Sequence, residues 1–96
     1  MNEDKLHRDI VRAGKAHALL ENEMLQEAFA KLDATYVEAW RTWEARDPGG
    51  REALWQAVNV LGKVKEHLRR VMADGRLAQA QVEEMARTEA AKRKAR

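Results

Sequence analysis

The stretch Trp40–Trp55, WRTWEARDPGGREALW, decides how this chain folds. It holds all three tryptophans, the only proline and two of the five glycines. Proline restricts φ and cannot continue a helix, and Gly49-Gly50 admits positive φ, so DPGG is expected to reverse the chain. Reading back from it, Leu25, Phe29, Leu32, Tyr36, Trp40 and Trp43 recur at spacings of three and four, with Ala28 and Ala39 widening the stripe. Reading forward, Leu54, Val58, Leu61, Leu68 and Met72 repeat the pattern, flanked by Trp55, Val64 and Val71. Each stripe is the apolar face of an amphipathic helix.

Two helices joined by so short a connection run antiparallel and pack side by side. Counting outward from the turn pairs Trp43 with Leu54 or Trp55, Trp40 with Val58, Tyr36 with Leu61, and Leu32 with Val64 and Lys65. Phe29 then faces Leu68, and Leu25 faces Met72. The second helix is expected to close at Ala73-Asp74-Gly75, where glycine suits a left-handed cap.

Upstream, Leu6, Ile10, Ala13, His17, Leu20 and Met24 keep the same rhythm. Helices are expected over about 3–18 and 21–45, separate or fused, since nothing between His7 and Leu32 is a strong breaker. Downstream of Gly75 only Leu77, Val82 and Met85 offer bulk, so a further helix there is expected to pack poorly and fray. The expected fold is all-α: an antiparallel helical hairpin with an N-terminal helical extension and a basic C-terminal helix. The division is a hairpin domain over 1–75 and a basic, partly flexible helix or tail over 76–96.

The composition bounds the function. A chain of 96 residues with 45% hydrophobic but only 5% aromatic residues makes one small domain with little bulk to bury. Self-association is therefore expected, because a second copy covers a stripe that the monomer leaves bare. With 35% charged residues and no apolar run near the ~20 residues of a transmembrane helix, no membrane partner is expected. MNEDKLHRDIVRAGK lacks the apolar core of a signal peptide. The absence of cysteine removes disulfides and thiolate metal sites and fits a cytoplasmic setting.

Catalytic chemistry finds no footing in the pattern. His7, His17 and His67 have no ligand spacing, and Glu66 beside His67 points to a different helix face. Glu21, Glu23, Glu27, Asp33, Glu38, Glu44 and Glu52 fall away from the apolar stripes, where water reaches them. General acid–base work needs two carboxyls in a dry concavity. No metal, cofactor or enzymatic activity is expected.

Basic residues offer more. The net charge of +2 is unevenly spread: Met85–Arg96 carries five bases and one acid, leaving −2 on residues 1–84. Lys63, Lys65, Arg69 and Arg70, with Lys92, Arg93, Lys94 and Arg96, are candidate contacts to nucleic-acid phosphates. The competing reading is a solubilising tail that complements the helix dipole. Arg41, Arg46 and Arg51 among the tryptophans would suit base stacking. Trp40 and Trp43 nevertheless share a stripe with Leu25 and Phe29, which favours burial. Trp55 sits beside the stripe and is, with Leu6 and Ile10, a candidate contact to a partner or a second copy.

Several features, LLEN at Leu19–Asn22, EAF at Glu27–Phe29, the turn to GRE and LW ending at Trp55, and HL with DG further on, resemble small helical proteins of tailed-bacteriophage and prophage genomes. The resemblance covers Ala18 to Ala78. It implies a role in virion assembly or DNA packaging, in the bacterial host cytoplasm or on the virion, with a large packaging or virion protein as partner. A small terminase subunit is its most concrete form, although no N-terminal helix-turn-helix stands out here. The alternative is a protein-only interaction module, an adaptor or inhibitor of a host or virion protein, without nucleic-acid contact.

Overall fold

The structure is a computed structural model and describes residues 3–95. The described residues are all-α and form three helices: α1 (Glu3–Glu21), α2 (Glu23–Thr42) and α3 (Pro48–Lys94). Residues 3–45 thus form two helices, and Asn22 is the reason. Its backbone is extended, with φ −71° and ψ 117°, and its Oδ1 accepts a hydrogen bond from Leu25 N at 2.9 Å. That satisfies one of the free N–H groups at the start of α2. Gln26 Nε2 donates back to Leu20 O at 2.7 Å and ties down the end of α1.

The reversal between α2 and α3 differs from the expected one. Trp43, extended at φ −65° and ψ 147°, ends α2, and Asp47 N donates to Glu44 O at 3.1 Å. Asp47 then caps α3: its Oδ1 accepts from Gly50 N at 3.0 Å. Pro48, Gly49 and Gly50 form the first turn of α3, and no described glycine has positive φ. A proline at the first helical position loses no hydrogen bond, because that N–H would be unpaired anyway. The chain therefore turns before the proline.

The second departure is at Gly75. Instead of ending there, α3 continues unbroken to Lys94, so no separate C-terminal helix begins after it. Gly75 is buried in the helix interior, and a Cβ on it would collide with the Ala13 Cβ and come within 3.0 Å of the Asp9 carbonyl oxygen. The glycine serves a close helix–helix approach, and its conformation is ordinary α.

Contacts group the chain into two units, one joining the chain up to Ala18 with Leu68 onwards, the other spanning Leu19–His67. In the first unit α1 runs antiparallel to the C-terminal part of α3. Ile10, Ala13 and His17 border a groove with Met72, Gly75 and Gln79, while Glu3 and His7 border another with Val82, Met85 and Glu89. Its buried residues are Leu6, Ala16, Gly75 and Ala78, so three of the four are small. Alanines and glycine let the backbones come close, which compensates for the scarcity of bulk. Leu77 points outward at 62% exposure, while Val82 and Met85 are half-buried.

The second unit is the hairpin of α2 with the N-terminal part of α3. Leu25, Phe29, Tyr36 and Trp40 face Leu54, Val58 and Leu61, all half-buried. The ring centroids of Trp40 and Trp55 lie 6.4 Å apart, tilted by 42°, and Lys65 Nζ stands 5.4 Å from the Phe29 ring centre. The sequence count put Val58 opposite Trp40 and Leu68 opposite Phe29. These rungs instead fall three residues nearer the turn, because the chain reverses at 43–47 and not at 48–50.

Candidate interaction surfaces

The tryptophan turn is built from Asp47 outward. Its carboxylate caps α3 through Oδ1 and accepts the Trp43 indole N–H at 3.2 Å through Oδ2. Gly50 makes room for that indole: a Cβ there would run into Trp43 Nε1 and lie 2.6 Å from Asp47 Oδ2. Trp43 remains 43% exposed, so it closes the turn from outside. Trp40 is held between Trp55 and Arg51, whose guanidinium carbon sits 4.9 Å from the Trp40 ring centre. Arg51 Nε is buried with no hydrogen-bond partner, in keeping with a guanidinium whose face meets an aromatic ring. Trp40, Trp55, Arg51, Glu52 and Pro48 line a shallow groove, and Trp55, at 49% exposure, both completes the turn and shows an open face.

The basic residues separate by role. Lys65 is half-buried over Phe29, and Lys63 shares a groove with Asp33, Asn59 and Glu66. Arg69 and Arg70 are exposed on α3 in the other unit. Lys92, Arg93 and Lys94 form the exposed basic last turn of α3, with Arg93 Nε 3.8 Å from Glu89. Arg96 lies outside the described residues. Elsewhere charges pair within single helices, as in Glu27–Lys31 at 3.4 Å and Glu84–Arg87 at 2.7 Å. Glu84 hydrogen-bonds the Arg87 guanidinium and raises its pKa further. Pairs of this kind leave both groups in water, which screens them, so they add little to stability.

Of the two aliphatic candidates for a partner contact, Leu6 is 6% exposed and spent within its own chain. Ile10 is half-buried at the rim of the α1–α3 groove. The large apolar side chains actually on show lie elsewhere. In residues 19–67 they include Met24 at 72%, Leu32 at 42%, Val60 at 55% and Val64 at 44% exposure. The signal for them was present, because α3 carries Val60 and Val64 a roughly quarter-turn away from Leu54 and Leu61. That apolar arc is wider than one partner helix covers.

Among the described residues no three His, Asp or Glu side chains gather to hold a metal ion, and no helix is long and apolar enough to cross a membrane. No protein-family model, curated protein or solved structure matches the chain.

Proposed function

We propose that this chain is a non-enzymatic assembly protein of the tailed-bacteriophage type, a virion-assembly or DNA-packaging accessory that works as a homo-oligomer. A small-terminase-like subunit is its most concrete form. One observation carries the reading: no side chain between Leu19 and His67 is buried, while large apolar groups on both helices face outward. A hairpin in that condition has no core of its own and gains one by docking onto protein. The sequence resemblance supplies the phage context. The exposed last turn of α3, with Lys92, Arg93 and Lys94, supplies positive charge suited to DNA phosphates.

Titration of duplex DNA with the full chain at a series of salt concentrations tests the packaging version. Binding is expected to weaken steeply with salt. Replacing Lys92, Arg93, Lys94 and Arg96 together by alanine is expected to flatten the log–log slope by up to about 3.6, at about 0.9 per lost phosphate contact. Absence of binding at low salt overturns the DNA role.

The second reading, a protein-only adaptor or inhibitor, draws on Lys65 packed over Phe29 and Lys63 grouped with Asp33 and Glu66. Lys65 is thereby engaged inside the hairpin, and Lys63 lies exposed at the edge of a groove that also carries acidic residues. Under this reading the oligomer or hetero-complex forms with no salt-dependent DNA contact.

A further inference from the structure

We infer that one uncharged face of the hairpin, Ala28 and Leu32 on α2 with Val60 and Val64 on α3, docks a second copy of this chain, so that two hairpins close a four-helix bundle. The inference deepens the reading of the protein as a homo-oligomer and rests on it.

The helical phase locates the face. On α2, Met24, Ala28, Leu32 and Thr35 follow each other at spacings of three and four, a roughly quarter-turn from the line of Leu25, Phe29 and Tyr36 that meets α3. On α3, Val60 and Val64 stand at a similar angle from Leu54 and Leu61. Asp33, Gly62 and Glu66 border the groove on one side of the hairpin. Leu32, Val60 and Val64 therefore emerge together on the other side, and all three are more than two-fifths exposed. No charged residue lies in either strip.

Size and chemistry point to a second copy as the occupant. Continued through Ala39 and Thr42 on α2 and back through Ala57 and Ala53 on α3, the uncharged strip runs about 28 Å along one helix and about 18 Å along the other. At about 10 Å of width per helix that gives about 460 Å² per copy and about 900 Å² for a pair, the size of a weak, concentration-dependent dimer. The occupant must be uncharged, as long as the hairpin and two helices broad, because a charge pressed against this strip would lose its water without gaining a partner. The hairpin's own face meets all three conditions, and a twofold axis presents the same patch from both sides. The bundle then supplies the buried layer that residues 19–67 lack.

Sedimentation velocity on the full chain tests this. The wild type is expected to run as a dimer or a multiple of one. Val60→Glu and Val64→Glu are expected to give monomers, while Val37→Glu, on the opposite side of α2, leaves the assembly intact. Because a buried glutamate also threatens folding, a second measurement uses the absence of native cysteine. In the assembled protein, Val60→Cys is expected to react with a thiol reagent several-fold more slowly than Val37→Cys. On dilution to monomer the two rates converge. A wild type that stays monomeric at millimolar concentration overturns the inference, as does equal reactivity of the two cysteines in the assembled state. A monomer that still binds DNA with a steep salt slope sinks the docking face and the homo-oligomer and leaves the DNA contact standing, whereas an oligomer whose two cysteines react equally sinks the docking face alone. A dimer protected at Val60 that ignores DNA sinks the packaging role alone.

Discussion

Replacing Gly75 by alanine sets two effects of opposite sign against each other. In an exposed helix interior the change is stabilising by about 1 kcal/mol, since alanine restricts the unfolded chain and glycine is a poor helix former. At Gly75 the new methyl would overlap the Ala13 Cβ, sit 3.0 Å from the Asp9 carbonyl oxygen and 3.4 Å from the Ala13 Cα. Neither backbone atom swings aside as a long side chain would, so α1 must move off α3. Overpacking of this kind costs about 1–3 kcal/mol, and separating the helices also loosens Ala16 and Ala78, which are 3% and 2% exposed. The net expectation is a loss of about 1–2 kcal/mol. For a chain of this length that is a fall in Tm of about 5–10 °C. Gly14 and Gly62 supply the controls, because a Cβ at either meets nothing within 4 Å. Gly62→Ala and Gly14→Ala are each expected to raise Tm by up to about 5 °C. Thermal melts followed by circular dichroism at one fixed protein concentration read all three, the fixed concentration being needed because association shifts Tm. A Gly75→Ala variant as stable as Gly62→Ala would refute the close approach of α1 and α3.

Asp47→Ala removes both the cap on Gly50 N and the acceptor for the Trp43 indole, and is expected to cost about 1–2 kcal/mol, with Trp43 emission shifting to the red. Asp47→Asn, which keeps the capping oxygen, should recover most of that loss in the same urea titration. Trp40→Ala loses the Trp55 contact and the Arg51 stacking and is expected to cost about 2–3 kcal/mol, below the 3–5 of a fully buried aromatic because the ring is only half-buried. Trp43→Ala should cost less than Trp40→Ala; the reverse order, measured by the same unfolding transition, would contradict the register described above.

How much was legible depended on whether a residue's role was set by its own helix or by its neighbour. Leu25, Phe29, Tyr36 and Trp40 on one side of the turn and Leu54, Val58 and Leu61 on the other announce a hairpin, because a 3.6-residue period shows in the spacing of large apolar groups. The reading of DPGG failed for a local reason that was nevertheless available: aspartate before proline is also a cap followed by a first helical residue. Asn22 is a similar case, a capping residue lost inside a continuous apolar rhythm. The candidate partner contacts were less legible, since Leu6 belongs to the same periodic stripe whether its own chain or another copy covers it. Val60 was passed over, and Val64 was placed opposite Leu32 inside the hairpin although both are more than two-fifths exposed, because a single stripe at helical spacing absorbs a second beside it.

The sequence alone determined that this chain is helical, that its helices are amphipathic, and that α2 and the start of α3 run antiparallel. Those properties follow from spacing within a single element and from the few residues that join two. Only the tertiary structure decided the rest: that Gly75 is a point of contact and not an end, that Ala16 and Ala78 are more buried than any tryptophan, and that the hairpin pairs three residues closer to its turn. Small residues have no signature in a hydrophobic pattern, since an alanine is worth little until another backbone lies against it. Which alanine meets one depends on where a distant helix comes to rest.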